Sequence, residues 1–210
     1  MTACRACPRL VAWRESVAAV KRAAFRDQEY WGKPVPGFGP VDASLLLVGL
    51  APAAHGGNRT GRMFTGDASG DFLFRALYEV GLASQPSAWA RDDGMELYGV
   101  RMASPVRCAP PENKPTTEER DRCSHFLREE IALMPNLRSA VVLGGFGWKA
   151  FLPLLGVSRP PKFGHGVEVE AGGLRVIGCY HVSPHNTYTG RLTQEMLQDV
   201  LRRAVNPPTV

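Results

Sequence analysis

The sequence lacks several features that would place it in a membrane or a secretory pathway. No apolar run approaches the roughly 20 residues that a helix needs to span a bilayer, so an integral membrane protein is not expected. The first ten residues, MTACRACPRL, have neither an apolar core nor a small-residue cleavage site, so a secretory signal is not expected either. Internal repeats and low-complexity blocks are also absent. These absences favour a cytoplasmic protein, without a membrane partner, that folds as one domain over residues 1–210.

The composition is that of an ordinary globular protein with a modest excess of positive charge. Of the 210 residues, 44% are hydrophobic and 21% are charged, a balance that does not favour disorder. The net charge is +5, and most of the basic residues are arginines, whose planar guanidinium binds two phosphate oxygens at once. This charge favours polyanionic partners such as nucleic acid, although a solvated basic surface explains it equally well.

Four short apolar runs have the length of β-strands. They are continuous rather than alternating, which indicates strands covered on both faces, as in a parallel sheet. Helical patterns lie between them, so the sequence predicts an α/β protein, a three-layer αβα sandwich with a central, mainly parallel four-stranded sheet. A hairpin is also expected over Glu168–Val176. The four predicted strands are Ser44–Gly49, Glu96–Met102, Ser139–Leu143 and Leu174–Gly178.

Three helices are predicted from their periodicity and end signals. Apolar residues recur at helical spacing over Phe72–Val80, and Gly81 is placed to end that helix. Thr116 and Glu119 form a capping box that opens a second helix. A third helix covers Met196–Ala204. The inner face of the second helix would carry Cys123, Phe126, Leu127, Ile131 and Met134.

Unusual segments begin where each predicted strand ends. In open α/β sheets, ligands bind at the carboxyl ends of the strands. The simplest arrangement is therefore one cleft lined by four loops. These loops are Gly49–Gly70, Ser104–Pro115, Gly144–Gly147 and His181–Arg191.

Four of the five cysteines have a pattern that favours one metal centre. Cys4 and Cys7 form a C-x-x-C pair, which lets two thiolates from one turn reach the same metal. Cys108 lies in a proline-rich loop and Cys123 in the first turns of the following helix, so this second pair can approach the same centre. Four thiolates suit a structural zinc or a [4Fe–4S] cluster, and the spacing leaves both open. Disulfides and unrelated buried cysteines are further alternatives, and Cys179 is expected in the core.

The loop Gly49–Gly70 contains six glycines, which allow its backbone to approach a ligand closely. It matches neither a P-loop nor a dinucleotide-binding fingerprint. Phe64 either stacks on a planar base or caps the core beneath the loop. Asp67 either caps the following helix or acts on water or on a developing cation.

The segment His181–Arg191 combines several groups that suit nucleic acid. A histidine directly after a buried strand is held at a fixed angle over the cleft, although such a residue is often structural. His185, Asn186, Tyr188 and Arg191 offer base-edge, stacking and phosphate contacts.

These motifs resemble those of the uracil-DNA glycosylase superfamily. The closest similarity is to its iron–sulfur-containing branch, and within it to the fifth family, the type b enzymes of thermophiles. The resemblance covers nearly the whole chain, with the motifs in the expected order. Its motifs are Cys4-x-x-Cys7, Gly49-Leu50-Ala51-Pro52 leading to Phe64-Thr65-Gly66, the Cys108 loop with Pro110-Pro111-Glu112-Asn113, and His181-Val182-Ser183-Pro184.

The resemblance implies an enzyme that flips uracil out of DNA and hydrolyses its N-glycosidic bond. Backbone groups of Leu50 and Ala51 would contact the base, Phe64 would stack on it, and His181 would donate a hydrogen bond to its O2. The segment after His181 would enter the DNA groove. A structural [4Fe–4S] cluster would be bound by the four cysteines Cys4, Cys7, Cys108 and Cys123. The expected substrate is double-stranded DNA, with single strands as a second candidate, and the expected form is a monomer acting near the nucleoid of a prokaryote.

Two departures from the sister families affect the expected chemistry. Leu50 and Ala51 stand where those families carry a carboxylate, and Ser104 stands where one of them has an asparagine that reads uracil. Asp67 is the only carboxylate in the Gly49–Gly70 loop, so it is assigned with His181 as catalytic. Ser104 and Asn113 remain candidate substrate-binding residues, in a pocket tolerant enough to accept hypoxanthine or xanthine. No lysine lies in these motifs, so a Schiff-base lyase step is not expected.

Two other functions compete with this interpretation. The first is a non-catalytic nucleic-acid-binding module with a structural zinc held by the four cysteines. The second is a thiol-dependent redox protein, which leaves the segment His181–Arg191 without a role.

Overall fold

A computed structural model describes residues 1–206 of the chain, which form an αβα sandwich around one sheet. The sheet has the strand order β2-β1-β3-β5-β4. Its first four members in that order are parallel, and β4 pairs with β5 in antiparallel fashion. The strands are β1 Leu45–Val48, β2 Val100–Ala103, β3 Ser139–Leu143, β4 Glu168–Ala171 and β5 Leu174–Cys179.

The fold class is confirmed, and the parallel part of the sheet is the predicted one. The sheet has five strands rather than four because the predicted hairpin adds β4 at its edge. The second strand begins at Val100 instead of Glu96. Cys179 ends β5 and is fully buried, as expected.

Eight α-helices cover the sheet and its carboxyl edge within residues 1–206. The capping box of Thr116 and Glu119 is present, but the helix it opens ends at Cys123 and a second begins at His125. Between them, the Ser124 hydroxyl donates to the Asp121 carbonyl, a local bond that competes with helix continuation. The helices are α1 Pro8–Val20, α2 Gly57–Thr60, α3 Ala68–Glu79, α4 Thr117–Cys123, α5 His125–Ala132, α6 Gly145–Leu154, α7 Pro184–Tyr188 and α8 Gln194–Val205.

Two apolar cores lie on the two faces of the sheet. Side chains alternate along β1, so that Leu45 and Leu47 enter the core beneath α3 and α8. Leu46 and Val48 enter the opposite core, which includes residues of α5 and α6. Because both faces are covered, β1 is apolar and buried at every position, which is the pattern seen in the sequence.

Two of the predicted loops contain short helices, and a third is not a loop. Helix α2 lies inside Gly49–Gly70, and α7 lies inside His181–Arg191. The segment Gly144–Gly147 was expected to be a loop, but Gly144 caps α6 and the next residues form its first turn. Across residues 1–206, we find no helix whose length and hydropathy would let it cross a membrane.

Candidate active site

A cavity of about 270 Å³ opens at the carboxyl ends of the parallel strands. Three segments line it: the long loop after β1, the loop after β2 and the segment after β5. The start of α6 does not line it, so the expected cleft of four loops has three. Seven of the predicted site residues meet there, namely Leu50, Ala51, Phe64, Asp67, Ser104, Asn113 and His181.

Phe64 is held in the cavity by backbone strain and by two glycines. Its φ of 52° lies in the left-handed region, which is costly for an aromatic residue and is found mainly where surrounding structure enforces it. A Cβ at Gly49 would lie 2.7 Å from Phe64 Cζ, and one at Gly70 would lie 1.7 Å from the Phe64 carbonyl oxygen. The ring is half-buried against the core and also lines the cavity, so both sequence interpretations of Phe64 apply.

Two buried arginines brace the long loop, which sequence analysis did not foresee. The Arg59 guanidinium donates to the carbonyls of His55 and Gly66 at 2.7 and 3.1 Å. Arg62 forms an ion pair with buried Asp93 at 2.6 Å and donates to the Thr65 hydroxyl. The signal was present as arginines within a glycine-rich segment. Their partners are backbone carbonyls and the side chains of Gln28, Thr65 and Asp93, which cannot be identified from the sequence.

Asp67 is the N-cap of α3 and also lines the cavity. Its Oδ1 accepts hydrogen bonds from the backbone N–H of Ser69 and of Gly70, both at 3.0 Å. Oδ2 lies against Gly56, where a Cβ would be only 1.9 Å away. Burial raises the pKa of this carboxyl, and the two backbone N–H groups oppose that shift. The cap therefore uses one oxygen and leaves the other without a hydrogen bond from residues 1–206.

His181 follows β5 at the opposite wall of the cavity. Burial lowers the pKa of its imidazole to about 4, so the ring is neutral at physiological pH. The Asn186 side-chain amide donates to the His181 carbonyl at 2.8 Å and fixes the backbone of this segment. Gly144 supports the residue from below, since a Cβ there would lie 3.3 Å from the Cβ of His181.

Ser104 and Asn113, the other two residues predicted to contact the base through their side chains, differ in burial and hydrogen bonding. Ser104 is buried, and its hydroxyl donates to the Val106 carbonyl at 2.8 Å. Asn113 is exposed and adopts a φ of 57° in the turn that follows Pro110-Pro111. Both line the cavity, but only the Asn113 side chain has no internal hydrogen bond among the described residues.

The four residues predicted to contact DNA lie on or just after α7. His185 and Arg191 are exposed, and the Tyr188 side chain is 81% exposed. Asn186 is half-buried because its amide is bonded to His181. The Arg191 guanidinium lies 4.6 Å from the ring centroid of Tyr180, the residue that precedes His181.

Cys4, Cys7, Cys108 and Cys123 line one narrow cavity between α1 and the loop that follows β2. An Arg14 Nη1 donates to the Cys108 sulfur at 2.9 Å, and the Arg107 backbone N–H donates to the Cys123 sulfur at 3.4 Å. Burial raises the pKa of Cys123 to about 11, so its thiolate needs a strong positive partner.

The charge around this cavity suits a negatively charged group. Arg14 and Arg107 are both buried, and Arg14 Nε and Arg107 Nε and Nη1 have no hydrogen-bond partner in residues 1–206. Arg107 Nη2 forms an ion pair with Glu130, so the Arg107 charge is already partly neutralised. The remaining unbonded N–H groups are costly to bury unless a further anion is near. In the same residues, no three Cys, His, Asp or Glu side chains are placed to hold a single metal ion.

Comparisons with known proteins identify the family of this chain. The profile of the Uracil DNA glycosylase superfamily matches residues 36–204. The type-5 uracil-DNA glycosylase of Mycobacterium bovis is 55% identical, with 97% of this chain and 78% of that protein covered. The type-5 enzyme of Thermus thermophilus is 52% identical, with 97% and 93% covered. The type-4 uracil-DNA glycosylase of Thermotoga maritima is 33% identical, with 71% and 69% covered. The chain therefore belongs to the uracil-DNA glycosylase superfamily.

Proposed function

We propose that this protein removes uracil from double-stranded DNA as a monomer, hydrolysing the N-glycosidic bond and leaving an abasic site. The observation that carries the proposal is that Phe64, Asp67 and a neutral His181 line one cavity of about 270 Å³. That volume lies near the lower end of the range for ligand sites, which suits one small planar base. Enzymes that act on a base within a duplex must first flip it into such a pocket.

The chemistry requires few side chains. Dissociative cleavage produces a cationic sugar and an anionic base, and fixed dipoles or charges can stabilise both. A neutral imidazole at His181 donates a hydrogen bond to the developing anion at uracil O2. Asp67, through Oδ2, stabilises the sugar cation or positions the attacking water. Burial favours its protonated form, whereas the positive charge that develops on the sugar favours the ionised form. Leu50 and Ala51 contribute backbone groups, since neither side chain can activate water.

The cavity is expected to accept damaged bases other than uracil. The Ser104 hydroxyl, at the position where a reader of uracil is expected, is already bonded to the Val106 carbonyl. No side-chain amide therefore reads the base there, and Asn113 lies at the exposed rim. We extend the proposal to hypoxanthine and xanthine for this reason.

We favour a [4Fe–4S] cluster over zinc because the motifs resemble those of iron–sulfur-containing glycosylases. Cys4, Cys7, Cys108 and Cys123 line one cavity and would hold it, and Arg14 and Arg107 would offset part of its negative charge. By donor type alone, four thiolates suit either group. When bound, the cluster would join the N-terminal segment to the loop after β2 as a structural link.

Excision assays on four duplexes test the activity. Wild type, Asp67→Asn and His181→Ala are incubated with duplexes containing uracil, hypoxanthine, xanthine or a G·T mismatch, and abasic sites are cleaved with alkali. We expect wild type to release uracil and both variants to lose at least about 10²-fold in rate. A wild type that binds DNA without releasing any base would support the zinc-containing binding module instead.

A further inference from the structure

A second groove, of about 900 Å³, lies beside the catalytic cavity. It is bounded by α4, by the first half of α6 and by the segment over residues 158–163. The long connection after α6 leads to β4, whose first residue Glu168 pairs with Ile177 near the end of β5. The chain has therefore returned to the carboxyl edge of the sheet, where the catalytic cavity also opens.

The wall of this groove is rigid. Trp148 is 1% exposed, and its indole N–H donates to the Pro161 carbonyl at 2.9 Å. The Phe163 ring packs edge-on against Trp148, with 6.0 Å between ring centroids. Pro160 and Pro161 restrict the backbone on the approach to Lys162. The position of Lys162 is thus set by packing.

The charged residues that line the groove are all basic. Arg120, Lys149 and Lys162 line it, and none of its lining residues in the described chain is acidic. Arg120 is paired with Asp121 at 2.6 Å. Lys149 and Lys162 are exposed and form no ion pair within residues 1–206, so both are available to an anionic partner. Phe146, half-buried on α6, adds an apolar face to the same surface.

The start of α6 lies between the groove and the catalytic cavity. Gly144 is next to His181, since a Cβ at position 144 would lie 3.3 Å from the His181 Cβ. At the next residue, Gly145, a Cβ would lie 3.5 Å from the Phe163 ring. Ala51 lines the cavity and Phe146 lines the groove, and both pack on one small apolar cluster.

We propose that this groove binds the phosphodiester backbone of the substrate DNA on one side of the flipped nucleotide, with Lys149 and Lys162 each contacting a phosphate. The inference rests on the proposed function for the identity of the ligand. Lysine contacts to phosphate position a protein on DNA without reading sequence, which suits an enzyme that must find one base anywhere in a genome.

Salt-dependent binding tests the two lysine contacts. The probe is a duplex carrying a stable abasic-site analogue, and Kd is measured by fluorescence anisotropy over a range of NaCl concentrations. Each phosphate contact contributes about 0.9 to the slope of log Kd against log salt. We expect Lys149→Ala and Lys162→Ala each to lower the slope by about 1, and the double variant by about 2. The control is Arg138→Ala. Arg138 is exposed and lies just before β3, at the opposite edge of the sheet, so its removal should leave the slope unchanged.

Truncated duplexes identify the side on which the groove binds. The same abasic duplex is shortened on the 5′ side or on the 3′ side of the lesion. Wild type should lose affinity with one of the truncations, and the Lys149→Ala, Lys162→Ala double variant should be insensitive to that truncation. Wild-type slopes in both single variants, or a truncation effect that persists in the double variant, would overturn the proposal.

The same protein preparations separate this inference from the proposed function. If wild type releases no base but the lysine variants lower the salt slope, the groove binds DNA and the proposed function fails. If wild type releases uracil but the slopes do not change, the function holds and the groove is not a DNA site. Unaltered thermal unfolding of the variants shows that they are folded.

Discussion

At the scale of single residues, Asp67 combines two roles that one substitution can separate. An asparagine keeps a side-chain oxygen for the N–H groups of Ser69 and Gly70 and is an equally good N-cap. It removes the charge that would stabilise the sugar cation. We therefore expect Asp67→Asn to lower the single-turnover rate of uracil release by at least about 10²-fold, with a thermal unfolding midpoint close to that of wild type.

The control for this prediction is Asp67→Ala, which removes the cap as well as the charge. Its rate should fall by a similar factor, and its stability should fall by about 1 kcal/mol, the usual cost of a lost N-cap. A wild-type rate in Asp67→Asn, measured beside a less stable Asp67→Ala, would leave Asp67 with the capping role alone.

The low pKa of the His181 imidazole leads to a prediction about how the stability of the protein depends on pH. Its pKa of about 4 in the folded protein lies below the ordinary value of 6.5, so folding favours the neutral ring. The stability that this ring contributes is complete above pH 6.5 and is lost as pH falls toward 4, because only the unfolded chain binds the proton readily in that range. Between pH 7 and pH 4, the unfolding midpoint of wild type should therefore fall more steeply than that of His181→Asn. Parallel curves for the two proteins would show that the ring is not buried as neutral imidazole.

The residues of the cavity could be predicted from sequence, whereas the residues that hold them could not. Phe64, Asp67 and His181 occupy motifs whose order and composition are visible along the chain. Arg59 and Arg62 act through carbonyls and through Asp93, which the fold brings near from about 30 residues away. Their contacts depend on tertiary structure, so no local pattern indicates them.

At the scale of elements, the strands were predictable because burial on both faces leaves a continuous apolar run. Helix α1 gave no such signal. It buries Arg14 beside Leu10 and Val17, so its inner face is not apolar throughout, and it was not predicted. The start of α6 is helical where the sequence predicts a loop. Its three glycines are poor helix formers, yet they permit close packing against His181 and the end of β1.

The long loop and the sheet meet where Gly49 faces the Phe64 ring. Gly49→Ala would place a methyl group 2.7 Å from Phe64 Cζ, without requiring an unusual φ at position 49. Because the strained Phe64 backbone cannot retreat easily, the ring should move out of its stacking position. We expect a loss of at least about 10-fold in kcat/KM on uracil duplex, measured in steady state, with most of the loss in kcat.

The matched control is Gly145→Ala, whose new methyl group would meet the Phe163 ring at an ordinary 3.5 Å. Its kcat should remain near that of wild type. Equal kcat values for Gly49→Ala and wild type would show that the placement of Phe64 is not critical to the reaction.

At the scale of the whole molecule, a few buried side chains of α1 and a small number of polar contacts attach the N-terminal segment to the sandwich. Arg9 forms an ion pair with Glu119 at 2.7 Å, and the Asn58 amide donates to the Arg14 carbonyl at 3.1 Å. Arg122 donates to the Ala6 carbonyl at 2.7 Å. Partly exposed ion pairs contribute little, so the buried side chains Leu10, Val11 and Val17 hold α1 more than these polar contacts do, and the proposed cluster would add a further strong link.

Removing one of the four cysteines that line the cavity should therefore weaken the attachment of this segment to the sandwich. We expect Cys7→Ala to contain less iron per chain than wild type and to lose visible absorption. Because the free energy of binding a structural metal group adds to the free energy of folding, the loss of even ~3 kcal/mol would lower the unfolding midpoint by roughly 6–12 °C.

The control is Cys179→Ala, which removes a buried thiol at the end of β5 and should keep the iron of wild type. Because Cys179 is fully buried, Cys179→Ala also shows how far the unfolding midpoint falls when only core packing is lost. That fall should be smaller than the fall in Cys7→Ala. Iron at wild-type level in Cys7→Ala would show that Cys7 does not bind the cluster.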